Sequence, residues 1–164
     1  TVGCGAQEPE TTTYTNTEFG YSITLIDPFT DVEELNEKAE VRIGVSEGGE
    51  VQTVVQLMVV TGAEPFETDQ LDEIIKNLNE MTVSTSPDGT KFGIVSSSDL
   101  TLGSGQTARI TSRSVMITGD CERLEYRLNI IHEGRLFDVS GMPCADGGGI
   151  EVIKTMINSL SLSH

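Results

Sequence analysis

Two cysteines, Cys121 and Cys144, flank a segment typical of a β-hairpin, and this segment constrains the fold more than any other part of the sequence. Residues 124–131 and 136–140 are rich in apolar and β-branched side chains, and Glu133-Gly134 lies between them. Two such runs around a short glycine-containing turn predict a pair of antiparallel strands.

The position of the turn determines which residues of the two strands face each other. With the turn at Glu133-Gly134, Ile131 faces Leu136, and pairing continued outward places residue 123 opposite Cys144. Cys121 is then within about two residues of a cross-strand position. We therefore expect a disulfide, which would stabilise the fold by about 3 kcal/mol and requires an oxidising compartment. The alternative is a pair of buried free thiols.

The third cysteine, Cys4, lies in the short sequence Thr1-Val2-Gly3-Cys4-Gly5 and precedes a polar stretch rich in threonine. A small residue before a cysteine, followed by a polar linker, resembles the lipobox and tether of secreted lipoproteins, in which the lipid supplies the membrane affinity. Thr1 departs from the pattern, because lipoboxes prefer leucine three residues before the cysteine. We interpret Cys4 as a lipidation site and residues 1–13 as a tether; the alternative is an unmodified cysteine in a disordered leader.

The charge of the chain limits the classes of partner that it attracts. Ten basic and 26 acidic residues give a formal net charge of -16, which repels nucleic acid and anionic lipid head groups. No apolar run approaches the roughly 18–20 residues that span a bilayer. We therefore expect no nucleic-acid partner, no transmembrane helix, and contact with the membrane only through a lipid anchor.

The remaining pattern along the chain predicts an α+β domain covering residues 14–164. Residues 14–25 alternate between apolar and polar side chains as two short strands do, and residues 51–61 form the most apolar predicted strand. Apolar stripes at helical spacing predict helices over 68–81 and 150–160, whereas the acidic residues 32–40 fit a short helix or a loop. Strands, helix, strands and helix in this order favour an antiparallel β-sheet flanked by helices.

Three parts of the sequence resemble the PsbP-like fold family. They are the opening segment Tyr14–Ile23 with Pro28-Phe29 soon after it, the amphipathic helix that follows the central strand, and the hairpin Tyr126–Val139 leading into a closing helix that ends at Met156–Leu160. The resemblance implies an α/β/α sandwich with a central antiparallel sheet. It also implies a binding or assembly role, because this family shares no catalytic residues that could be carried over.

The sequence contains few candidates for catalysis or metal binding. The only histidines are His132, beside the predicted turn, and the final residue His164, and neither belongs to a nucleophile motif. The acidic residues at 27–34 and at 120–122 lack the spacing of a known calcium loop. We therefore predict no catalytic residues, no metal site and no cofactor.

The sequence thus favours a non-catalytic extracytoplasmic lipoprotein, at the cell surface or in the periplasm, that serves as a binding or accessory module for an unknown protein partner. One alternative is a surface lipoprotein that binds a small molecule or a cation. Another is a hydrolase of unknown substrate, since any two of the 26 acidic residues could converge in space.

Overall fold

The computed structural model describes residues 5–86 and 89–163. Within them the chain forms eleven strands and two helices, and a 3₁₀ turn at Thr68–Gln70 leads into the first helix. The strands are β1 (Thr11–Asn16), β2 (Tyr21–Ile26), β3 (Asp31–Leu35), β4 (Glu40–Glu47), β5 (Glu50–Val60), β6 (Lys91–Phe92), β7 (Ser96–Thr101), β8 (Thr107–Met116), β9 (Glu122–His132), β10 (Arg135–Gly141) and β11 (Ser161–Leu162), and the helices are α1 (Leu71–Thr85) and α2 (Ile150–Asn158).

The strands form two sheets, and every strand pair is antiparallel. The main sheet has eight strands in the order β3-β4-β5-β10-β9-β8-β6, and β7 also pairs with β8. The smaller sheet has the order β1-β2-β11. The predicted antiparallel sheet with helices is therefore confirmed, and the most apolar predicted strand, β5, lies inside the main sheet.

The hairpin of β9 and β10 has the predicted register. Leu136 faces Ile131, and an isolated bridge pairs Arg123 with Cys144. The turn residues Glu133 and Gly134 have φ values of 49° and 73°, the left-handed region that a two-residue hairpin turn of this type requires. A side chain at position 134 would also lie 2.8 Å from Pro65, so glycine fits this position for two reasons.

The expected disulfide between Cys121 and Cys144 is present, with the two Cα atoms 5.7 Å apart. The chain after β10 continues to pair with β9, because Leu124 donates its N–H to Pro143 and Ala145 donates its N–H to Glu122. This continued pairing brings the two cysteines together beyond the end of the regular hairpin.

The two faces of the main sheet are covered by different elements. On one face, α2 and the smaller sheet enclose the main core, in which Leu128, Phe137 and Met156 are fully buried. On the other face, Ile75 of α1 is buried, as are Ile131 and Leu136 of the hairpin. The finer expectation of an α/β/α sandwich stays a prediction, because a β-sheet shares one side with α2.

The structure differs from the sequence-based expectation at its first edge strand. Residues 32–40 were expected to form a short helix or a loop. This is wrong for Asp31–Leu35, which is strand β3, whereas residues 36–39 form the turn that leads into β4. Two side-chain contacts hold this acidic strand in place: Asp31 accepts the N–H of Ser46 at 2.7 Å, and Glu34 accepts the hydroxyl of Tyr14 at 2.6 Å. Strand β1 also begins at residue 11, three residues before the expected start of the domain.

Candidate functional site

The face of the main sheet that carries α1 is unusually polar for a partly covered surface. Residues that pair directly across antiparallel strands project from the same face of the sheet. Following these pairs from β4 to β8 gives one continuous polar row, from Arg42 to Thr111, and further polar residues in the rows on either side of it. We call this surface the polar face; its residues are Glu40, Arg42, Gln56, Arg109, Thr111, Arg113, Glu125, Arg127, Asn129, Asp138 and Ser140.

The most deeply buried ion pair of the polar face joins Arg113 of β8 to Glu125 of β9. Nε of Arg113 lies 3.1 Å from one carboxylate oxygen, and Nη2 lies 3.4 Å from the other. Their side chains are only 3% and 5% exposed. The guanidinium carbon of Arg113 lies 4.4 Å from the centre of the Phe92 ring, so the cation is enclosed by an anion and an aromatic face.

Beside this ion pair lies a second pair of charged residues, Arg127 and Asp138, whose hydrogen bonding is less complete. Nε of Arg127 is 3.4 Å from Oδ1 of Asp138, which also accepts a hydrogen bond from Asn129 at 3.0 Å. Burial raises the pKa of Asp138, and the positive charge of Arg127 partly opposes that shift. Within the described parts of the chain, Nε of Arg127 and Oδ1 of Asn129 are buried without a hydrogen-bond partner. A buried polar atom without a hydrogen-bond partner typically lowers the free energy of unfolding by about 1–3 kcal/mol. This region therefore contains polar atoms whose hydrogen-bonding capacity is unused.

A cavity of about 190 Å³ opens on the polar face next to these groups. Polar and apolar side chains share its wall. We call it the polar cavity; it is lined by Thr53, Val54, Gln56, Glu125, Arg127, Ser140, Gly141 and Met142.

Glu40, another charged residue of the polar face, fixes the orientation of Gln56, which lines the polar cavity. Glu40 accepts hydrogen bonds from Nε of Arg42 at 3.0 Å and from Nε2 of Gln56 at 2.8 Å. Because the amide nitrogen of Gln56 is engaged by Glu40, its amide oxygen is the group available as an acceptor.

A larger opening of about 550 Å³ lies between the C-terminal half of α1 and the edge of the sheet. The edge is interrupted at residues 93–95, between β6 and β7, where Ile94 is 93% exposed. Val83 of α1 is 51% exposed on the other side of the opening. We call it the apolar groove; it is lined by Asn79, Glu80, Val83, Ser84, Thr90, Phe92, Gly93, Val95 and Arg113.

The site residues expected from the sequence lie elsewhere. Cys4, the expected lipidation site, is outside the described residues. Near the disulfide, Asp120 and both cysteine sulfurs lie within 4.8 Å of one another. Sulfurs joined in a disulfide are not the thiolates that bind metals, and hydrogen bonds from Arg123 and from the N–H of Cys121 lower the pKa of Asp120. His132 has its Nε2 3.1 Å from the carbonyl oxygen of Ser163.

The polar face was not predicted from the sequence, although polar residues alternate along both β8 and β9. Arg109, Thr111 and Arg113 alternate with less polar residues in β8, and Glu125, Arg127 and Asn129 alternate in β9. Alternation is normally interpreted as one buried and one solvated face. Here the polar half is also largely buried, which only the position of α1 and of the neighbouring strands reveals.

Neither described helix is long and apolar enough to cross a membrane. No protein-family model matches the sequence, and no curated protein matches it either. The structure is similar to the solution structure of cyanobacterial PsbP (CyanoP) from Synechocystis sp. PCC 6803, with a TM-score of 0.63 and 15% sequence identity. The similarity covers 97% of this chain and 96% of that chain. The chain therefore has a PsbP-like fold.

Proposed function

We propose that this chain is a non-catalytic, extracytoplasmic lipoprotein that acts as a binding or accessory module for a protein partner. In this proposal a single α/β/α sandwich domain begins with strand β1 at residue 11, and the residues before it tether the domain to a lipid on Cys4. The PsbP-like fold supports the general class of module. The observation that carries the proposal is the apolar groove, where Val83 and Val95 are exposed and where Ile94, next to Val95 in the chain, is almost fully exposed.

The apolar groove has the features of a docking surface. Ile94 extends almost fully into solvent, and Val83, Phe92 and Val95 line the opening beside it. Clustered exposed apolar groups indicate an interaction site more strongly than the same groups scattered singly. A protein interface needs an apolar centre with a polar rim, and Asn79 and Glu80 supply polar groups at the side of this groove.

The charge of the chain selects the chemistry of the partner. The net charge of -16 attracts basic surfaces and repels acidic ones. Close to the groove the charges are paired, Glu80 with Lys76 at 4.0 Å and Arg113 with Glu125, so the attraction of basic residues comes from the acidity of the chain as a whole. The occupant that fits is a protein segment with an apolar side chain for the groove and basic residues on either side of it.

A photo-crosslinking amino acid at position 94 tests the docking surface in the full-length protein in intact cells. We expect one discrete protein adduct from position 94 and none of the same mass from position 151, because Glu151 is equally accessible but belongs to α2. With the purified partner, Val83→Asp should weaken binding at least about tenfold. Equal adducts from both positions, or unchanged affinity of this variant, would argue against docking in the groove.

The cellular location is the second part of the proposal. The disulfide supports an oxidising compartment, because such bonds are rare in a reducing cytosol. The sequence around Cys4 supports lipid attachment as the route to the membrane.

Cys4→Ser in the full-length precursor should move the protein from the membrane fraction to the soluble fraction, because the lipid provides the anchor. Immunoblotting of fractionated cells measures this, and Thr12→Ser, a conservative change at an exposed position that leaves all three cysteines in place, serves as the control. Unchanged membrane association of the Cys4 variant would contradict lipid anchoring.

A further inference from the structure

The polar cavity is a different place from the apolar groove, and the arrangement of its charges is unusual within this chain. The Nε atoms of Arg42, Arg109 and Arg113 each donate a hydrogen bond to a carboxylate, at 3.0, 2.8 and 3.1 Å. Nε of Arg127 donates none within the described residues, although its side chain is only 15% exposed. This buried Nε lies 3.4 Å from Asp138, so the donors that Arg127 can offer to a ligand in the cavity are the N–H groups on its two terminal nitrogens.

From this geometry we propose that the polar cavity binds the carboxylate end of a small zwitterion, either a free α-amino acid or a short peptide with free ends. A guanidinium and a carboxylate match in shape and form two parallel hydrogen bonds. Oδ1 of Asp138 lies 3.4 Å from Nε of Arg127, but the same oxygen also accepts a hydrogen bond from Asn129.

The rest of the wall favours a zwitterion over a simple anion. Glu125 lines the same cavity, and although Arg113 binds both of its oxygens, a carboxylate keeps further lone pairs for a ligand ammonium or N–H group. The amide oxygen of Gln56 is a second acceptor, and the hydroxyl of Ser140 can donate to the ligand. A ligand with both charges has no net charge, so the acidity of the whole chain does not repel it.

The size and rim of the cavity limit the ligand further. A volume of about 190 Å³ is below the roughly 300–1,000 Å³ of pockets for drug-sized ligands, so the cavity holds at most a small amino acid or the last residue of a peptide. Met142 at the wall offers an apolar contact for a short aliphatic side chain, so a bulky or strongly charged side chain fits poorly.

NMR titration of the oxidised ¹⁵N-labelled protein tests this proposal without any mutation. Glycine or alanine should shift the Arg127 Nε–H signal saturably, with a dissociation constant in the range of about 1 mM or tighter. Acetate, methylammonium and sulfate should each bind at least about tenfold more weakly. Equal binding of acetate or sulfate, or no saturable shift with any zwitterion, would overturn the proposal.

Two dipeptides distinguish the possible sources of the carboxylate. If glycylalanine binds and its carboxy-terminal amide does not, the site accepts peptide ends; if only free amino acids bind, the site is restricted to them. Both outcomes support the proposal, whereas equal binding of the amide would overturn it. Binding of the amide would leave the docking proposal for the apolar groove untouched.

Variants assign the binding to the cavity. With the backbone amide of Gly141, which also lines the cavity, as the reporter, Arg127→Gln should abolish the ligand-induced shift, and Ser140→Ala, which removes only a hydroxyl, should weaken binding by about threefold to tenfold. Arg109→Gln is the matched control, because Arg109 lies on the same face in the neighbouring row and does not line the cavity. If Arg109→Gln weakens binding as much as Ser140→Ala does, the ligand is not held in this cavity.

Discussion

Replacing both Cys121 and Cys144 with serine is expected to lower the free energy of unfolding by about 3 kcal/mol. The two residues are 23 positions apart, and their disulfide closes a loop that contains the whole β9–β10 hairpin. In the chain-entropy account, the bond restricts the unfolded chain more than the folded one. The folded backbone around it is already paired through Leu124 and Ala145, so the folded state itself should change little.

Chemical denaturation of the oxidised protein, with and without a reductant, measures this effect. The wild-type protein should lose stability on reduction, and the double-serine variant should be as stable as the reduced wild type and indifferent to the reductant. Mass spectrometry under non-reducing conditions should find the oxidised protein two hydrogens lighter than the dithiol. A loss below about 1 kcal/mol would show that the hairpin holds these positions together without help from the bond.

The hairpin was the part of the fold that the sequence predicted in most detail. Glu133-Gly134 specified a two-residue turn, and because side chains alternate strictly along a strand, that turn determined every pair outward to position 144. The apolar stripes also predicted both helices: α2 buries its stripe through Ile153 and Ile157, whereas α1 buries only Ile75 of its stripe.

Strand β3 could not be predicted in the same way, because its stability comes from distant residues. Asp31–Leu35 is acidic and lacks an alternating apolar pattern, so local preference favoured a loop or a helix. The strand forms because β4 offers a pairing edge and because Tyr14 and Ser46 hydrogen-bond its carboxylates. Tertiary contacts of this kind have no local signature in the sequence.

The candidate sites were hidden from the sequence for a similar reason. Arg127 is 18 residues after Arg109 along the chain, yet the two lie in adjacent rows of one sheet face. Whether such a cation is solvated, paired or left with unused donors depends on which strands lie beside it and on the position of α1. The apolar groove likewise combines residues 79–84 with residues 90–95, which the helix and the sheet edge bring together.

Arg113→Met is expected to be the most destabilising substitution on the polar face, with a loss of about 3–5 kcal/mol. Methionine fills a similar volume against Phe92 but leaves the carboxylate of Glu125 buried without a counter-ion. The cost therefore comes from the unpaired charge and much less from lost packing. The double variant Arg113→Met/Glu125→Leu should recover most of the lost stability, because it removes both charges and keeps the space filled.

A double-mutant cycle by urea denaturation separates these effects, since it isolates the interaction between the two side chains from their separate contributions. Lys76→Met is the control for removing a cation, because its ion pair with Glu80 is largely exposed at 4.0 Å and is expected to contribute about 0–1 kcal/mol. If the double variant is no more stable than Arg113→Met alone, the loss arises from packing around Phe92, and the polar face is not held together by its charge pairing. Recovery in the double variant would show that Arg113 is tolerated on this buried face because Glu125 pairs with it, and that neither charge is tolerated there alone.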